Sequence, residues 1–200
     1  MSRTPLNKAE LARKKRNLAT YERFLPSLDM KRKQLLVERR RAKRDLDTIR
    51  ERLAATRQRV ADTLPMLADT QVAVEDLVTI ADVEVNSRNI VGVTVPVLGD
   101  VRFDVASTGY LVRPHWVDRV IELLKTQLRE RVAEKIAEER LARLEAGLKT
   151  VTQRVNLFDK VLIPRTKEQI KRIQIALGDA ERAGVVRAKI AKRKRAERAS

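Results

Sequence analysis

The chain has 200 residues, 43% of them hydrophobic but only 3% aromatic and 36% charged, a balance that suits long helices with narrow apolar seams better than a compact globule. It contains no cysteine, which excludes disulfide frameworks, thiolate metal sites and cysteine nucleophiles and fits a reducing cytoplasm. The net charge of +17 is unevenly spread: residues 1–60 hold 19 Lys/Arg against 7 Asp/Glu, residues 61–115 hold 3 against 8, and residues 116–200 hold 22 against 12.

The first segment, 1–82, reads as one long helix. The basic stretch Met1–Lys15 has no apolar signal core, and no run of 18 apolar residues occurs, so neither export nor membrane insertion is expected. A heptad runs through Leu11, Leu18, Leu25, Arg32, Arg39, Leu46, Leu53, Val60 and Leu67, with Tyr21, Leu28, Leu35, Ala42, Ile49, Thr56 and Thr63 at the partner position. A strict seven-residue repeat supercoils left-handed, and such a helix extends for roughly 100 Å. Arg32 and Arg39 interrupt the seam, where a polar residue costs stability but sets register.

The middle segment, 83–113, changes period from seven to two. Val91, Val93, Val95 and Val97 alternate, as do Val101, Phe103 and Val105, so two strands are expected with Gly99 and Asp100 as the turn between them. Pro96 marks an edge strand, and Asn86 to Asn89 reads as a loop. An isolated hairpin is marginal in water, so it should lean on a partner or on the neighbouring helices.

The third segment, 114–200, enters a helix at Pro114. Leu141, Leu148, Val155 and Leu162 alternate with Leu144, Val151 and Phe158, after which Phe158, Leu162, Thr166 and Ile170 follow in steps of four. Such a stutter unwinds a supercoil locally. The segment ends in a basic tail from Ala188 to Ser200. Pro26 and Pro164 each remove an amide donor inside a helical pattern and are expected to bend a helix that otherwise continues. If the two helices pair antiparallel, these prolines lie level with each other and the chain reverses near Val95. The fold class is thus mainly α, a long antiparallel two-helix left-handed coiled coil with a short β-hairpin in its middle segment.

Little in the sequence carries chemistry. No GxxxxGK[ST] phosphate loop is present. His115, between Pro114 and Trp116, has no second histidine for metal binding or proton transfer. Asp100 and Asp104 lack any base or metal ligand beside them and read as turn and strand residues. No cofactor is expected. The basic runs Arg13–Arg16 and Arg39–Arg41 serve as wet faces of a coiled coil; they would also suit a nucleic-acid-binding or scaffold coiled coil, although the interspersed acids and scarce aromatics argue against nucleic acid as partner.

Thr152-Gln153-Arg154-Val155-Asn156-Leu157-Phe158 through Val161-Leu162-Ile163-Pro164, then Gln169 to Ile173 and Arg187 to Ile190, resembles the C-terminal signature of the D subunits of the V-type rotary ATPases. Pro5 to Lys8 and Leu28 to Leu35 are similar to that family's opening. The resemblance implies a non-catalytic rotor shaft, one copy per cytoplasmic, membrane-peripheral complex. Its free ends would insert among the catalytic A and B subunits. The F subunit would grip the stalk, and the C (or d) subunit would couple it to the membrane rotor ring that carries protons or sodium. The sliding contacts with the catalytic head then fall to Arg165, Lys167, Lys171, Arg172, Arg187, Lys189 and Lys192. The hairpin and the helical stretches 66–82 and 116–135 fall to the F and C subunits.

Overall fold

The computed structural model describes residues 5–63, 77–105 and 116–199. Leu67, Pro114 and His115, singled out above, lie outside them. In chain order the elements are α1 (Lys8–Thr63), β1 (Val78–Ile90), β2 (Val93–Val105), α2 (Trp116–Leu157), a π-helical turn over Phe158–Leu162, and α3 (Ile163–Ala199). The fold is mainly α, two long helical arms with a two-stranded antiparallel sheet between them in the chain. The chain divides into two compact units: unit 1 comprises Met1–Lys31 with Val151–Ser200, and unit 2 comprises Arg32–Thr150.

In unit 1, Lys8 pairs with Glu181 at 3.5 Å and Glu22 with Lys167 at 3.0 Å. Both pairs of residue numbers add to 189, the mark of antiparallel helices. The seam between them is closed by apolar burial: Ile173 is fully buried, Val155, Ile163 and Ile170 nearly so, and the Tyr21 and Phe158 rings meet edge to face at 5.5 Å. The start of α1 is fixed by Asn7, whose side-chain oxygen accepts the Glu10 amide at 2.7 Å, the N-cap arrangement that satisfies a helix's orphan donors. The stutter coincides with the π-helical turn. There the Ile163 amide donates to the Phe158 carbonyl five residues back, one residue before Pro164, which has no amide to give. Buried Thr166 is satisfied by donating its hydroxyl to the Leu162 carbonyl at 2.6 Å.

In unit 2 the same antiparallel sense recurs. Arg140 meets Asp45 at 3.6 Å, and Arg50 reaches Glu134 at 3.2 Å and Glu138 at 2.6 Å. The hydrogen bond to Glu138, then that to Glu134, holds the Arg50 guanidinium above its ordinary pKa. Leu35, Ala42, Leu46, Leu53 and Leu144 are buried, as the heptad requires. The seam arginine Arg39 is half-buried, its Nε shielded from solvent with no hydrogen-bond partner.

Two features of the middle segment differ from expectation. First, residues 78–82, read as the end of a helix, form the start of β1, and the polar run Asn86 to Asn89 is strand rather than loop. Second, the hairpin turn is Val91-Gly92, not Gly99-Asp100. Ile90 faces Val93 across a two-residue loop, Val91 and Gly92 have φ of 54° and 85°, and the Gly92 amide donates to Asn89 Oδ1 at 2.8 Å. Positive φ at both central residues is what the twist of a tight hairpin demands. Gly99 and Asp100 lie within β2, where the register passes from Val83↔Val101 to Val85↔Leu98; two residues therefore face Glu84 alone, a β-bulge. A side chain at Gly99 would come within 3.0 Å of the Glu84 carbonyl, so the residue type that suggested a turn is used for a bulge instead.

The hairpin is supported by α2. Leu77, Val78, Val117, Val120 and Ile121 form a buried cluster, with Phe103, Leu124 and Leu128 packed against it. Further along, Arg129 meets Asp100 and the Arg143 guanidinium donates to the Thr94 carbonyl, each at 3.4 Å. β2 thus runs antiparallel to α2. Val91 is β-branched, and its positive φ stores about 1–3 kcal/mol of strain. Val91→Gly should therefore leave the turn in place and raise the unfolding free energy of the chain by about 1 kcal/mol, read by urea denaturation; loss of stability would show that the Val91 side chain contributes more than its strain costs.

Candidate subunit interface

Unit 1 holds 22 Lys/Arg against 8 Asp/Glu, +14 of the total +17, in 81 residues. All seven cations named as sliding contacts are on its surface. Lys167 is engaged by Glu22, and Arg172 by Glu168 at 3.1 Å; among the described residues Arg165, Lys171, Arg187, Lys189 and Lys192 form no ion pair. Arg165 borders a groove of about 300 Å³ with Glu10, Arg13, Lys14, Tyr21, Thr166 and Gln169.

Among the described residues Glu10 is the one acidic residue buried in that basic setting, its side chain only 8% exposed. The hydrogen bond from Arg13, 2.8 Å long, holds the carboxyl below its usual pKa against the opposing effect of burial, and the charges of Arg13 and Lys14 add to the lowering. A depressed carboxylate contributes stability above its unfolded pKa, about 4.5, and loses it as pH falls through the folded value. Urea midpoints of the wild type should accordingly drop between pH 5 and pH 3 more steeply than those of Glu10→Gln. Equal slopes would remove Glu10 from the account.

From Asp179 to Glu197 every residue but Gly184 is exposed. Interleaved with Arg187, Lys189 and Lys192 stand Val185, Val186 and Ile190, 69%, 56% and 52% exposed. Charge patterning in the sequence selects only the cations. The signal for these apolar residues is their place after the seam, where none of the described residues covers them. The remaining expected interface, the hairpin, exposes Ile80, Val85 and Val105. Pro26 and Pro164 sit within α1 and α3, both with exposed side chains.

No helix among the described residues is long and apolar enough to cross a membrane, and none of the described acidic or histidine side chains gather as a metal cluster. What unit 1 can do is bind: it offers exposed charge and apolar side chains on one helical end. The profile of the family described as the ATP synthase D subunit matches residues 10–193. The chain belongs to the ATP synthase D-subunit family. Among similar curated proteins, the V-type ATP synthase D subunit of Borreliella burgdorferi is 32% identical over 192 residues, covering 96% of this chain and 95% of the relative. Those of Chlamydia pneumoniae and Chlamydia muridarum are 31% and 33% identical, covering 94% and 96% of this chain and 91% and 96% of the relatives. The match runs through both helical arms.

Proposed function

We propose that this chain is the central stalk of a V-type rotary ATPase or ATP synthase, a non-catalytic shaft that couples nucleotide chemistry in the A and B subunits to proton or sodium movement through the membrane ring. The observation that carries the reading is the concentration of +14 charges in unit 1 together with the exposed Val185, Val186 and Ile190. A bearing must favour contact with each successive catalytic subunit without locking to any one. Exposed ion pairs, worth about 0.2–1 kcal/mol each, meet that need.

In this reading Arg165, Lys167, Lys171, Arg172, Arg187, Lys189 and Lys192 form the sliding contact. Pro26 and Pro164 make the shaft eccentric, so that three like catalytic sites are driven into different states. The hairpin, with the N-terminal part of α2 over residues 116–135, meets the F subunit and the C (or d) subunit, and the complex lies at the cytoplasmic face of a membrane.

The test is co-purification of the tagged chain from its own host after a gentle salt wash. Recovery of the A, B and F subunits is expected, and reversing Arg187, Lys189 and Lys192 to Glu should sever A and B while F stays bound. Retention of A and B by the reversed variant would overturn the assignment of the bearing; recovery of nucleic acid or unrelated proteins alone would overturn the stalk.

A further inference from the structure

A second basic feature lies in unit 2. Beneath the hairpin tip is a groove of about 640 Å³, bordered by Lys33, Gln34, Glu38, Arg41 and Asp45 of α1, by Arg88 and Asn89 of β1, by Val91 of the turn, and by Arg140 of α2. Three separate elements thus deliver guanidinium groups to one concavity. Like charges gathered this way repel one another, and only part of the repulsion is answered within the protein. Arg140 meets Asp45 at 3.6 Å through Nη1, while its Nε is buried with no hydrogen-bond partner. Arg41 and Arg88 form no ion pair among the described residues.

A guanidinium presents several N–H donors in a fixed plane, which suits the paired oxygens of phosphate. The volume is that of a small-molecule site. Glu38 and Asp45, on the same wall, accept hydrogen bonds, as does the Gln34 side chain, so the groove can hold hydroxyls beside an anion. Asn89 spends its carbonyl oxygen on the Gly92 amide, which leaves its amide nitrogen as a further donor.

We propose that this groove binds a phosphorylated, hydroxyl-bearing small molecule, with Arg41, Arg88 and Arg140 holding its phosphate. The site is independent of the stalk assignment. Its position under the turn makes occupancy a clamp on the hairpin tip, because one ligand would bridge β1, α1 and α2.

The experiment is a titration of the full 15N-labelled chain with pyrophosphate at constant ionic strength, which removes general screening as a cause of change. The reporters are the Asn89 side-chain amide and the Gly92 backbone amide. Saturable shifts of both are expected, with Arg88→Gln and Arg41→Gln each weakening binding about tenfold and Lys189→Gln leaving it unchanged. Pyrophosphate shifts confined to residues 179–199 would overturn the proposal, since they would mark attraction to the basic end alone. Equal saturation by citrate would also overturn it, as a site that reads only charge, and so would saturation by an oligoglutamate peptide but not by pyrophosphate, which would make the groove a protein-binding surface.

Discussion

Replacing Leu144 with alanine should lower the unfolding free energy of the chain by about 2–5 kcal/mol, the range for a large side chain removed from a site that cannot collapse around the cavity. Leu144 has no exposed surface and occupies a seam position of α2 in unit 2. For a chain of this size such a loss moves the melting temperature by about 10 °C. Val185→Ala is the control: the same class of truncation at 69% exposure should change stability by less than about 0.5 kcal/mol. Circular dichroism melts of the two variants decide the matter, and equal melting temperatures would mean that the helical pairing in unit 2 does not depend on close packing at its seam.

The second large effect concerns Gly147, where helix propensity and packing oppose each other. In an ordinary helix interior Gly→Ala stabilises by about 0.5–1 kcal/mol. Here a β-carbon would stand 2.4 Å from Val93 Cγ2, and valine is stiff at χ1, so it cannot swing clear cheaply. Val93 is paired with Ile90 across the turn, so the methyl group should lift the hairpin tip from α2. Hydrogen exchange at the amides of Gly92 to Val95 should accelerate about tenfold or more in Gly147→Ala, corresponding to about 1.4 kcal/mol of lost local stability, while the helical signal is unchanged. Adding Val93→Ala should restore slow exchange. Exchange that slows in the single variant would show that the hairpin tip is not seated on this glycine.

The parts of this fold that the sequence discloses are those governed by one repeating rule. Every seam residue of α1 whose side chain is described, from Leu11 to Val60, is buried or half-buried, because a heptad leaves each position a single environment. Even Arg32 and Arg39 follow it. The hairpin is visible as a change of period, but its turn is not. Gly-Asp is common turn chemistry, whereas Val-Gly requires a valine at positive φ, which local preference disfavours. What selects Val91-Gly92 is non-local: the Gly147 notch that receives Val93, and the buried cluster at the strand bases. The start of β1 is hidden for a related reason. Val78 and Ile80 alternate, but the extra residue between the Ile80 and Asp82 pairs breaks the period just where it could be recognised. At the candidate interface, charge is legible residue by residue, while Val185, Val186 and Ile190 stand out only through their exposure, since none of the described residues covers them.

The wide turn at Phe158–Leu162 has a consequence for how unit 1 is numbered. Counting sevens from Val155 leads to Leu162 and Gln169, yet the residues nearly excluded from solvent are Ile163 and Ile170. The chain therefore carries one residue more than the repeat allows, and the turn takes it up, sparing the downstream helix a rotation of about 100°. Arg165, Lys171 and Arg172 face where a strict heptad would put residues one number lower. A relative that lacks a single residue in this stretch could keep every downstream side chain in the same direction with an uninterrupted α-helix. A lost residue in the α3 seam past Ile163 would have no such wide turn to absorb it, and would swing the basic end to another side.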